Sequence, residues 1–222
     1  MSQQINLKKL EQKAYRSNFQ DGAWDIFLGL LLFQSVIDVV LYRIGWPPTL
    51  ILMTTLGYVV LVLVAFTLVK KYVITPRIGL VNFGPVRKAK NKKLMLLLSL
   101  SILGGVIVFA GIVAGYFEAN SGAVTDEAPM TFVPLGLIAV VPIVVFSVAA
   151  YLLDFSRAYL YGWFFGLALP LNVLLDERFG ISFPLATAVF SAVMVLIGLV
   201  LFVHFLQTHP LNRPDWPEQD AV

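Results

Sequence analysis

Cysteine is absent from the 222 residues. That excludes disulfides, thiolate metal sites and cysteine nucleophiles. Charge is scarce as well. Only 13% of the residues are Asp, Glu, Lys or Arg, about half the share a soluble domain carries. With so little polar surface and a mean hydropathy of +0.84, the chain could not keep a water-soluble domain monomeric. Lipid is the solvent that tolerates it. Also missing are a phosphate-binding glycine loop, a Gly-x-Ser-x-Gly elbow and a His-Glu-x-x-His helix, and metal-ligand clusters are not evident. No catalytic residues, metal or cofactor are therefore expected, and the reading is non-enzymatic. Met1 to Asp21 is polar and lacks a short apolar core followed by a cleavage site, so it does not read as a cleaved signal.

What the sequence has in abundance is long apolar runs. A bilayer core about 30 Å thick needs roughly 20 apolar residues in a helix. Six stretches fit: 24–43, 48–72, 94–117, 131–153, 158–176 and 183–206. None alternates with a period of two, so a barrel is not indicated and the spans are helices. The expected fold is an all-α integral membrane bundle of six transmembrane helices. Residues 1–21 form a cytoplasmic arm before it, 22–209 make the membrane domain, and 210–222 form a tail. In the arm, Leu7, Leu10 and Ala14 share a helical face between Lys8, Lys9, Glu11 and Lys13. That pattern predicts an amphipathic helix lying on the membrane surface. Pro210, Pro214 and Pro217 predict an irregular tail.

Basic residues set the orientation. With six spans, fourteen of the sixteen Lys and Arg fall on one side, and only Arg43 and Arg178 on the other. The long loop on the second side carries Glu118, Asp126 and Glu127. The basic side is cytoplasmic, with both termini there. The net charge of +3 thus reflects topology and not nucleic-acid binding.

The first and fifth segments resemble each other. Gln34-x3-Asp38 is followed by Arg43-x-Gly45 and Pro47; Asn172-x3-Asp176 is followed by Arg178-x-Gly180 and Pro184. In each, an amide precedes an Asp by four residues, which places both on one helix face. A parallel internal repeat is one reading; the other is that two helix hairpins of similar composition look alike by chance. Ionisable groups in lipid cost about 2.5–3.5 kcal/mol on insertion scales. Gln34, Asp38, Asn172 and Asp176 are therefore the candidate binding residues, forming a polar site in the outer half of the bundle. Helix-to-helix glue is the structural alternative, and Arg43 lies within reach of Asp38 as a partner. Pro142 and Pro170 interrupt the hydrogen bonding of the fourth and fifth segments.

Other polar residues have simpler readings. Asp21 and Asp25 suit the positive end of the first helix dipole, Asp154 and Arg157 suit a local ion pair, and His204 and His209 suit the interface. Gly111-x3-Gly115 and Gly162-x3-Gly166 allow close helix approach inside the bundle, or alternatively in a homo-oligomer.

Between the second and third spans lies the most distinctive stretch. Pro76, Gly79, Gly84 and Pro85 argue against a regular helix from Tyr72 to Pro85, so an extended element or hairpin at the interface is expected. Arg87, Lys88, Lys90, Lys92 and Lys93 follow. Together with Arg77 they are the candidate contacts for anionic lipid at the cytoplasmic face, at about 1 kcal/mol per charge, or for a protein partner.

Two stretches carry a resemblance. Asp21-Gly22-Ala23-Trp24-Asp25-Ile26-Phe27-Leu28-Gly29 and Thr75-Pro76-Arg77-Ile78-Gly79-Leu80-Val81-Asn82-Phe83 resemble uncharacterised bacterial multi-pass membrane proteins with a Pro-Arg-x-Gly-x-Val element after the first helical hairpin. The resemblance covers roughly residues 1–90. It implies a bacterial inner membrane and no particular activity. The expected function is binding or transport of a small solute, lipid or ion through the outer polar site. The alternative is a non-catalytic sensor, scaffold or accessory subunit docked through its basic loop.

Overall fold

The computed structural model describes residues 19–78, 92–96, 99–101, 103 and 133–210. The arm with Leu7, Leu10 and Ala14, the cations Arg87, Lys88 and Lys90, and Gly111 and Gly115 lie outside them. So do the acidic loop, most of the third apolar stretch and the tail beyond Pro210. The described residues are helical with short connections, and no strand occurs among them.

Five long helices can be followed: α1 Ala23–Arg43, α2 Pro48–Leu68, α3 Val133–Leu153, α4 Arg157–Phe179 and α5 Leu185–Thr208. Their ends follow from local chemistry. The Asp21 carboxylate accepts the Ala23 N–H at 2.9 Å, satisfying a donor the helix cannot. Pro47 and Pro48 separate α1 from α2, and Pro48 sits in the first turn of α2, where its missing N–H costs nothing. α4 stops at Gly180, whose φ of 64° places it in the left-handed region. Its N–H bonds Asp176 O at 2.9 Å, the single bond of an αL closure, and the next N–H bonds Leu175 O at 3.2 Å. The expected end at 176 falls short for this reason. Asp176, Glu177 and Arg178 are exposed, so they prolong the helix without being buried.

The segment after α2 differs from expectation. The chain from Pro48 to Arg77 is continuously helical over 30 residues. It passes through a π-helical turn, Val69–Ile74, into one α turn, Thr75–Ile78. The Thr75 N–H and hydroxyl both donate to Lys70 O. Tyr72 to Ile78 are thus wound and not extended. Pro76 is tolerated because it falls in the first turn of the new α segment.

Packing follows the glycines. The two most extensive interfaces are α1 against α5 and α3 against α4; the hairpin contacts α1–α2 and α4–α5 are smaller. Gly22, at φ 76°, lies against the Gly198 carbonyl and Phe202, and Gly29 lies against Met194 and Val195. As α1 rises α5 falls, so the pair is antiparallel. Gly162 and Gly166 face Phe146 and Ile143 of α3; the small-x3-small pair serves the bundle interior. A core of Leu32, Ala150, Phe155, Tyr161, Ala168 and Met194 joins α1, α3, α4 and α5. The outer surface is apolar. On α2 only Val62 is buried, while Leu52, Met53, Leu61 and Val64 stand exposed. α1, the Pro48–Arg77 helix, α4 and α5 are each long and apolar enough to cross a membrane.

Candidate functional site

At one end of the bundle, two buried carboxylates organise a charged network. Asp21 and Asp25 are both fully buried. Asp25 Oδ1 accepts from Arg157 Nε at 3.0 Å, and Oδ2 accepts from Arg157 Nη2 at 2.9 Å. The Tyr161 hydroxyl donates to Oδ1 as well. Arg157 Nη2 also donates to Phe19 O at 2.6 Å, and its guanidinium lies over the Phe155 ring at 5.2 Å. Asp21 pairs with Lys70, whose ammonium stands 6.0 Å from the Trp24 and Phe66 rings. Such bidentate, charge-assisted contacts are the strong class of hydrogen bond. Arg157 directs Nε and Nη2 to Asp25, a partner on α1. Arg77, expected at a lipid or partner surface, turns inward and donates from Nη1 to Leu206 O at 3.2 Å and His209 O at 3.0 Å. It caps carbonyls that α5 leaves open. Asp21 and Asp25 of the first resembling stretch and Arg77 of the second thus lie at this one end.

This network goes beyond the dipole reading of Asp21 and Asp25. One signal for it was in the sequence: Arg157 is the only basic residue between Lys93 and Arg178. A single cation at the edge of two apolar spans asks for a buried anion.

The four residues expected to form one outer site divide into two places. Gln34 and Asp38 face α2. The Gln34 amide donates from Nε2 to Asp38 Oδ1 at 2.8 Å and to Thr55 Oγ1 at 3.2 Å, and the Thr55 hydroxyl lies 2.7 Å from Asp38 Oδ1. Arg43 does not fold back on Asp38 in this arrangement; its Nη1 donates to Ser182 Oγ at 3.0 Å across to the α4–α5 connection.

Asn172 and Asp176 lie elsewhere. Asn172 Nδ2 donates to Thr187 Oγ1 at 2.6 Å, and Asn172 Oδ1 accepts the Ala186 N–H at 2.9 Å, fixing the start of α5. Both residues line a cavity of about 360 Å³, with Ser35, Pro142, Ser182 and Thr187 among its other walls. Ser35 and Gln34 are neighbours on α1 but point to different sides, because adjacent helical residues are about 100° apart. The two hairpins therefore agree in one detail, an amide bonded to a threonine of the next helix. They differ in surroundings, since Gly29 packs on α5 and Gly166 on α3.

Lys92 and Lys93 are exposed on helical residues. His209 stacks on Phe205 with ring centres 4.8 Å apart. Among the described residues, no three His, Asp or Glu side chains gather as a metal site would require. No protein-family model, curated protein or solved structure matches the chain.

Proposed function

We propose that the chain is a six-span protein of a bacterial inner membrane, with both ends cytoplasmic, that binds a small polar solute in the outer half of the bundle and passes it across. The crossing count has a topological argument behind it. Asp21, Lys70, Arg77, Arg157 and His209 gather at one end, and Arg43 and Ser182 meet at the other. The chain leaves α2 at the first end and reaches α3 at the second. The apolar stretch 94–117 has the length to cross between them, which supports the count of six. The excess of Lys and Arg at the first end supports a cytoplasmic placement for it.

The observation that carries the solute reading is the 360 Å³ cavity between α1, α3, α4 and α5. It lies within the range of small-molecule sites, about 300–1,000 Å³. Asn172, Asp176, Ser35 and Thr187 offer it an amide, a carboxylate and two hydroxyls, which suits a solute bearing a positive group or several hydrogen-bond donors. Pro142 lies in its wall, as interrupted helices often do in transporters. The experiment is a thermal-stability screen of the purified protein in lipid nanodiscs against small amines, amino acids and polyols. A stabilising solute should lose affinity about tenfold or more, about 1.4 kcal/mol, in Asp176→Asn. Equal affinity in wild type and Asp176→Asn ends this reading.

Lys92 and Lys93, free of the inward contacts that engage Lys70 and Arg77, favour a second role, docking to anionic lipid. Their exchange for Glu should reduce co-sedimentation with phosphatidylglycerol vesicles of a soluble peptide spanning 86–96. Unchanged sedimentation removes that role.

A further inference from the structure

Gln34 is 95% buried, with a relative exposure of 5%, yet its carbonyl oxygen Oε1 has no hydrogen-bond partner. A buried acceptor without a donor costs about 1–3 kcal/mol. It stands in a group that has no donor left to offer. The Gln34 amide hydrogens go to Asp38 and Thr55. Thr55 has a single hydroxyl proton, and both Asp38 Oδ1 and Ile51 O lie within reach of it, at 2.7 and 2.9 Å. The group holds more acceptors than protons, and one of them is a carboxylate inside a membrane span. Asp38 lies five residues before the outer end of α1, about 7 Å in by helical rise.

We propose that Gln34, Asp38 and Thr55 form a binding site for a monovalent cation, taken here as Na⁺, at the α1–α2 contact. Amide oxygen and nitrogen occupy nearly interchangeable positions. Turning the Gln34 amide over puts Oε1 where Nε2 stands, about 2.8 Å from Asp38 Oδ1 and 3.2 Å from Thr55 Oγ1, and moves Nε2 to the place Oε1 leaves, so the cation must offset the two donors that lose their acceptors. The Thr55 proton then serves Ile51 O alone. Three oxygens spaced this way make one triangular face of a shell for a hard cation, whose oxygen ligands lie at about 2.3–2.6 Å for an ion the size of Ca²⁺. One carboxylate against one positive charge leaves the site neutral, as burial beside lipid requires. A divalent ion would need more anionic ligands, and no cluster of three acidic or imidazole groups exists among the described residues. Without the cation the amide donates to Asp38; with it the amide oxygen faces the ion. The site therefore has two hydrogen-bonding states, and the ion selects between them.

The inference does not rest on the solute cavity, which lies on the other side of α1. Its test is thermal unfolding of the purified protein in nanodiscs as NaCl replaces choline chloride at constant ionic strength and pH. The wild type should show a saturable, Na⁺-specific rise in melting temperature. In Thr55→Val the Na⁺ concentration for half the effect should rise on the order of tenfold or more, and in Asp38→Asn the rise should vanish. Thr54→Val is the control, because the Thr54 hydroxyl donates to Leu50 O and takes no part in the group. Two results overturn the proposal. One is a wild type whose melting temperature ignores Na⁺ and follows pH alone, which would assign a proton to Asp38. The other is a Na⁺ response retained in Thr55→Val. Should Asp38→Asn fail to fold, the comparison of Thr55→Val with Thr54→Val decides.

Discussion

Replacing Arg157 should cost the protein more than replacing its partner Asp25, and the asymmetry comes from burial. Asp25 is fully buried, whereas the Arg157 side chain keeps 28% of its surface exposed. In Arg157→Met the carboxylate loses both guanidinium bonds and keeps the Tyr161 hydroxyl. It cannot rotate to water. Removing one partner of a buried ion pair typically costs about 3–5 kcal/mol. In Asp25→Asn the neutral amide can still accept from Tyr161, and the flexible arginine can extend to water or headgroups. The loss there is that of a hydrogen bond to a charged group, about 1.5–3 kcal/mol. The double variant should be more stable than the sum of the two losses implies, with a coupling of about 1–3 kcal/mol. Unfolding in mixed micelles of rising SDS content, followed by circular dichroism, measures all four proteins. Equal losses in the two single variants, or losses that simply add, would refute the burial argument.

Other expectations follow from packing and topology. Gly166→Ala places a Cβ within 2.7–2.9 Å of the Ile143 side chain and against the Ala139 carbonyl. It should cost about 1–3 kcal/mol by overpacking. Gly57→Ala meets nothing within 4 Å and should gain up to about 1 kcal/mol from helix propensity; the same SDS titration separates them. The absence of native cysteine makes the topology directly testable. Single cysteines at Ile44 and Ile181 should react with an impermeant maleimide on intact cells, and those at Gln207 and Lys92 only after lysis. The opposite pattern would invert the orientation.

The helices were legible because their signals are local. Apolar runs, the Pro47–Pro48 break and Gly180 lie in the sequence itself, and α1, α3 and α5 fall within two residues of their expected ends. The partnerships were not legible. Asp25 meets Arg157 across 132 positions, and Asp21 meets Lys70 across 49. Nothing in spacing along one helix encodes such pairs; they depend on which helices pack together. The outer residues show the same limit. Period told that Gln34 and Asp38 share a face, and they do. It did not tell that this face meets Thr55 of α2 and not Asn172 of α4. The wide turn at Val69–Ile74 escaped because proline and glycine content argued for extension, while a π turn answers to the contacts of Lys70 and Ile74 at both its ends.

The Gly22–Gly198 seam has a consequence for how the protein comes into being. It joins the first described helix to the last described one. A ribosome adding about 5–20 residues per second delivers Gly198 on the order of ten seconds or more after Gly22. Through that interval the close-packing face of α1 lacks its α5 partner. Lys70 reaches Asp21 first, then Arg157 reaches Asp25, and the glycines meet only after α5 has been made. The two ion pairs thus hold the entrance of α1 in place for a helix that has yet to arrive. A nascent chain stopped before α5 exposes an unfilled glycine groove, a mark by which membrane quality control can tell an unfinished molecule from a finished one.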